Sequence, residues 1–147
     1  MTKRLSRQGL ILTVSIAAIA PSPLNVTYHA SKTMLHSLAL AIGEELREKQ
    51  VTNVDYMLVC PGLTTTNLNN GLFKRFIYPR YLGLAWPATN LVTAALRDFS
   101  YEKLTYGPIG HDVTALIYHV LQNNTPTLFA YICRWIWEFV QYCTGDT

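Results

Sequence analysis

The chain has 147 residues, of which 50% are hydrophobic and only 14% charged, with a net charge of +3. That composition excludes disorder, collagen-like repeats and coiled coils, and allows one compact domain or part of one. The charged fraction lies below the roughly 25% usual for soluble proteins and mean hydropathy is +0.14, so a sizeable apolar surface must meet sheet, partner or membrane.

Lys3, Arg4 and Arg7 precede an apolar run that ends in Ala18-Ile19-Ala20 and imitates a secretory signal. Pro21, just after that cleavage position, argues against one. Residues 9–15, Gly-Leu-Ile-Leu-Thr-Val-Ser, read instead as a short buried strand, rich in apolar and β-branched residues and too short to span a bilayer. Over residues 27–50, Met34, Leu35, Leu38, Ile42 and Leu46 recur at three- and four-residue spacing, which predicts an amphipathic helix. Residues 54–60 are nearly all apolar and stop at Pro61-Gly62, as a strand buried on both faces would. Strand, helix and strand imply a right-handed βαβ crossover.

Residues 63–71 are polar and turn-prone, and 73–86 are aromatic and basic, together reading as a loop or lid. Residues 87–99 predict a helix with Leu91, Val92, Ala95, Leu96 and Phe99 on one side, and 102–106 a last strand before Gly107, Pro108 and Gly110. The tail over 128–142 is apolar nearly all round, which fits either a buried helix or one lying in a bilayer interface, where Trp and Tyr are favoured. The expected division is 1–112 for the sheet-forming part and 113–147 for an apolar helical tail. The fold class is therefore α/β.

Cys60, Cys133 and Cys143 form an odd, widely spaced set, fitting neither a disulfide framework nor zinc ligation and pointing to a reducing compartment. His29, His36, His111 and His119 show no paired metal spacing and read as surface or packing residues, so no metal is expected. Basic residues form no single stripe, so no nucleic-acid partner is expected either.

Chemistry concentrates in Tyr28-His29-Ala30-Ser31-Lys32, where Tyr28 and Lys32 stand four apart near a helix start and point the same way. An ammonium beside a phenol favours the phenolate, which suits a tyrosine to general acid or base work. Ser15 lies at the C-terminal end of the first strand, the edge at which parallel sheets present ligand sites. The second strand ends at Pro61-Gly62 on that edge, followed by hydroxyls at Thr64, Thr65 and Thr66, and a glycine there lets backbone approach a ligand closely.

Ser15, Tyr28-x-x-x-Lys32 and Pro61-Gly62-x-x-x-Thr66, in that order, resemble the catalytic half of the short-chain dehydrogenase/reductases. The stretch from Met1-Thr2-Lys3-Arg4 through Gly9-Leu10-Ile11-Leu12 to Lys32 looks closest to the branch of microsomal 17-beta-hydroxysteroid dehydrogenases and very-long-chain 3-oxoacyl-CoA reductases. The resemblance fades after about Thr66. It implies the C-terminal half of a Rossmann-like, doubly wound parallel sheet and hydride transfer between NADP(H) and a steroid or fatty acyl keto or hydroxyl group. By that analogy Tyr28 protonates the alkoxide, Lys32 readies Tyr28 and binds the nicotinamide ribose, and Ser15 holds the carbonyl oxygen. Pro61, Gly62 and Thr66 would line the nicotinamide, while Phe73, Phe76, Tyr78, Tyr81 and Trp86 would suit an apolar substrate. The same analogy implies the cytosolic face of the endoplasmic reticulum membrane, or else the cytoplasm, with a membrane surface or a second copy of the chain as further partners.

No G-x-x-x-G-x-G or G-x-G-x-x-G precedes a helix, and the βαβ half that would bind adenosine and pyrophosphate is missing, as is the family's upstream active-site Asn. The expectation is thus a truncated chain, and the alternative function is an inactive half-domain that cannot hold cofactor and acts, if at all, through interaction.

Overall fold

The computed structural model describes residues 6–19, 23, 25–66 and 85–144. In chain order the elements are β1 (Gln8–Thr13), a 3-10 turn (Ile16–Ala18), α1 (Val26–Glu48), β2 (Val54–Val59), β3 (Thr64–Thr65), β4 (Trp86–Pro87), α2 (Ala88–Asp98), β5 (Leu104–Thr105), α3 (Ile109–Asn124) and α4 (Pro126–Thr144). β1, β2 and β5 form a parallel sheet in that order, with Gln8 opposite Val54 and Thr13 opposite Val59. β3 and β4 pair separately, also in parallel, with Thr64 opposite Trp86 and Thr65 opposite Pro87.

Strand β2 organises the layers, because successive side chains of a strand point to opposite faces. Leu58 and Cys60 join Val14, Ala18 and Ala39 in a core under α1, whereas Met57 and Val59 join Ala95 in a second core under α2, with Leu91 and Phe99 packed against it. Helices therefore cover both faces, which is a three-layer α/β arrangement. Both connections step the same way across the sheet while their helices lie on opposite faces, so the two crossovers differ in hand. The near-universal right-handed preference can hold for only one of them.

Helix α1 approaches the sheet on small residues. Ala39 and Gly43 are its buried positions there, and a Cβ at Gly43 would collide with the Tyr56 ring. The larger Met34 and Leu38, part of the stripe that predicts the helix, are 70% and 52% exposed. In α2, Leu91, Ala95 and Phe99 face the sheet, but Val92 and Leu96, expected on the same side, are exposed.

Two strand expectations need correction. β1 is not a buried strand: its positions alternate exposed and half-buried, and Ile11 is 41% exposed, because β2 is its sole strand neighbour among the described residues. The last strand contracts from 102–106 to Leu104–Thr105, since only those two residues meet Leu58 and Val59 in register. At the opposite end of the sheet Arg7 pairs with Asp55 through two bonds of 2.6 and 3.0 Å, and the guanidinium holds the Asp55 carboxyl below the usual carboxylate range.

The expected helical tail is two helices. Thr125 leaves helical geometry and Pro126 begins α4, a position where its missing N–H costs no bond. Tyr118 and Phe129 stack edge to face at 5.3 Å across the pair. Among the described residues no helix is long and apolar enough to cross a membrane.

Leu58 is almost fully buried in the α1 core, so Leu58→Ala is expected to cost about 2–5 kcal/mol in urea unfolding. A cost below about 1 kcal/mol would contradict a two-faced core centred on β2.

Candidate active site

The parallel ladder continues past the strand ends and builds the site. Val14 N–H donates to Val59 O at 2.8 Å, Ile16 N–H to Pro61 O at 3.1 Å and Cys60 N–H to Thr105 O at 2.8 Å. Ser15, Pro61 and Tyr106 thus follow three neighbouring strands at their C-terminal edge, where open α/β sheets bind ligands.

Ser15 is buried and caps the 3-10 turn: its Oγ accepts the Ala17 N–H at 3.1 Å. That bond uses an oxygen lone pair and leaves the hydroxyl hydrogen able to donate to a carbonyl oxygen. The capped turn is bolted to the first turns of α1. The buried His29 ring donates from Nδ1 to Ala17 O at 2.7 Å, the carbonyl being an acceptor only, and Thr33 Oγ1 donates to Ala18 O at 3.1 Å.

His29 and Thr33 flank the residues expected to do the chemistry. Tyr28 is 40% exposed, open to a substrate, and its ring stands edge-on to His29 at 6.1 Å. Lys32 Nζ lies 5.7 Å from the Tyr28 ring centroid, within cation–π range, so the i, i+4 spacing does bring ammonium and phenol together. Bonds from the residues just after Ser15 therefore tie its 3-10 turn to α1 through His29 and Thr33 on one side and to Pro61 through Ile16 on the other. Thr66 is placed only by following β3.

Gly62 has a different local reason from close approach by a ligand. A Cβ there would stand 2.9 Å from Cδ2 of His111, so the missing side chain makes room for an imidazole. Of the three threonines, Thr64 is buried and its hydroxyl donates to Gly62 O at 3.2 Å, bracing the turn. Cys60, beneath the turn, is fully buried, and burial pushes its thiol up to about 11, which keeps it protonated and unreactive.

His29 and His111 are the site residues that sequence reasoning passes over as packing. A single histidine carries no spacing signal, although His29 sits inside the Tyr28–Lys32 motif. Phe73, Phe76, Tyr78 and Tyr81, expected around an apolar substrate, lie outside the described residues, while Trp86 is half-buried in β4.

The residues present suit the nicotinamide end of a dinucleotide: a strand-end hydroxyl, an exposed phenol with its ammonium and a braced turn share one edge. The sequence offers no glycine-rich phosphate loop for the other end.

A family model described as short chain dehydrogenase matches residues 1–75, just over half of the 147. Among solved structures, one from work on 7beta-hydroxysteroid dehydrogenase stereoselectivity is similar in fold, with a TM-score of 0.58 and 19% identity. The alignment covers 79% of this chain and 48% of that one, so the chain spans about half the length of the enzyme it matches. No curated protein matches it significantly. The fold likeness agrees with a partial Rossmann-like, doubly wound sheet.

Replacing His29 with Leu strands the Ala17 carbonyl at the Ser15 turn. His29→Leu is expected to lower stability by about 1–3 kcal/mol in urea unfolding. An unchanged midpoint would show that the turn is held by other means.

Proposed function

Since the chain belongs to the short-chain dehydrogenase family, we propose that it carries the catalytic half of an oxidoreductase acting on a keto or hydroxyl group of an apolar substrate, a steroid or a fatty acyl chain. The observation that carries the reading is that the 3-10 turn capped by Ser15 is bonded to the turn of α1 bearing Tyr28 and Lys32, through His29 and Thr33, and to Pro61 through Ile16. NADP(H), when bound, supplies or accepts the hydride.

The chain's own residues hold the substrate and move the proton. The Ser15 hydroxyl, its oxygen already fixed by the Ala17 N–H, donates to the substrate carbonyl oxygen. Tyr28, 40% exposed, would give its phenolic proton to the developing alkoxide on reduction and take it back on oxidation. Lys32 stands over the Tyr28 ring with its Nζ 5.7 Å from the centroid and would hold the nicotinamide ribose. Pro61, Gly62 and Thr66 would line the nicotinamide.

Finer assignments belong to the same proposal. The branch is that of microsomal 17-beta-hydroxysteroid dehydrogenases and very-long-chain 3-oxoacyl-CoA reductases, the coenzyme NADP(H), and the location the cytosolic face of the endoplasmic reticulum membrane. Support for a membrane surface comes from α3 and α4, where Leu116, Tyr131 and Trp135 stand exposed. Exposed apolar side chains on α1, such as Met34, leave room for a second copy of the chain.

With NADPH and an apolar ketone, Tyr28→Phe is expected to lower turnover by about 10²–10⁴-fold while leaving cofactor affinity nearly unchanged, because it removes the proton and little volume. Turnover retained in Tyr28→Phe would contradict the role given to Tyr28.

A further inference from the structure

The turn after β2 has a second support that the proton-transfer chemistry does not use. His111, the third residue of α3, is fully buried at 0% exposure. Its Nε2 lies 3.0 Å from Leu63 O and its Nδ1 3.1 Å from Tyr106 O. Leu63 O also accepts the Trp86 N–H at 3.1 Å. One carbonyl therefore joins the turn, the start of β4 and α3. The imidazole also fills the space that a side chain at Gly62 would need.

We propose that His111 is a positioning residue: as the Nε2–H tautomer it donates to Leu63 O and holds the Pro61-Gly62-Leu63 turn against the sheet edge. The inference deepens the proposed function, and rests on it only for the identity of the ligand that the turn faces. Both ring nitrogens point at carbonyl oxygens, which only accept, and a neutral imidazole carries one N–H. Which carbonyl is served decides between two roles. Donation to Tyr106 fastens α3 to the end of β5 and is merely structural, whereas donation to Leu63 fixes the cofactor-side turn.

Amide side chains separate the two, since Gln reaches about as far as Nε2 and Asn only about as far as Nδ1. In the full chain, amide exchange of Trp86, whose N–H shares Leu63 O, is expected to quicken about tenfold in His111→Asn. In His111→Gln it should stay within about threefold of the parent. The dissociation constant for NADPH should follow the same order. Trp86 exchange that is unchanged in both variants, or raised equally in both, would overturn the proposal. Should either variant fail to fold, ¹⁵N correlation spectra of the parent's histidine rings decide alone. A protonated Nε2 on His111 supports the assignment, and a lone-pair Nε2 overturns it. If exchange splits the variants as expected while the parent chain binds no NADPH, the positioning role stands and the proposed function is what fails.

Discussion

Every backbone N–H and C=O that leaves water needs a partner, and β2 is where that demand is heaviest. It pairs with β1 on one side and β5 on the other, and its side chains enter two separate cores. Once the β2 ladder is set, Val14, Ile16 and Cys60 have no choice of partner, since their N–H groups complete the same pattern through Val59, Pro61 and Thr105. The positions of Ser15 and of the Pro61-Gly62 turn follow from pairing in the middle of the sheet.

Secondary bonds then carry that order outward. The 3-10 turn presents two carbonyls, those of Ala17 and Ala18, which His29 and Thr33 of α1 take up. These bonds fix how far α1 slides along the sheet, and hence where Tyr28 and Lys32 stand relative to Ser15. On the other side Thr64 and His111 hold the turn from within and from behind. The phenol thus stands on a turn of α1 that His29 and Thr33 fasten in place, an arrangement that would suit proton transfer, because a donor held in place needs little reorganisation.

Much of this is legible in the residues alone, and the failures have physical causes. The apolar run over 54–60 reads correctly as a strand buried on both faces because both cores draw on it. The spacing of Leu35, Ile42 and Leu46 marks α1 as a helix, yet the sheet is met by Ala39 and Gly43, because Tyr56 rises to fill the gap. Hydrophobicity patterns weigh large side chains, whereas close approach needs small ones. β1 has strand-like residues but an exposed surface, since burial depends on neighbours and not on composition. Tyr28 and Lys32 are found by spacing within one helix. His29 and His111 escape notice because their partners, the carbonyls of Ala17 and Leu63, belong to other elements, and a backbone oxygen leaves no mark in a sequence.

Under the proposed function, one strand edge assembles a nicotinamide site from Ser15, Tyr28, Lys32 and the Pro61-Gly62 turn. Reduced nicotinamide mononucleotide isolates that end of the coenzyme and makes no demand on a glycine-rich phosphate loop. The most direct measurement is a titration of the ¹⁵N-labelled chain with this mononucleotide, followed by amide shifts. Saturable shifts are expected at Ser15, Tyr28, Lys32 and Gly62, with the amides of α4 unmoved. A folded chain whose amides at those four positions do not respond, or respond no more than α4 does, would contradict it.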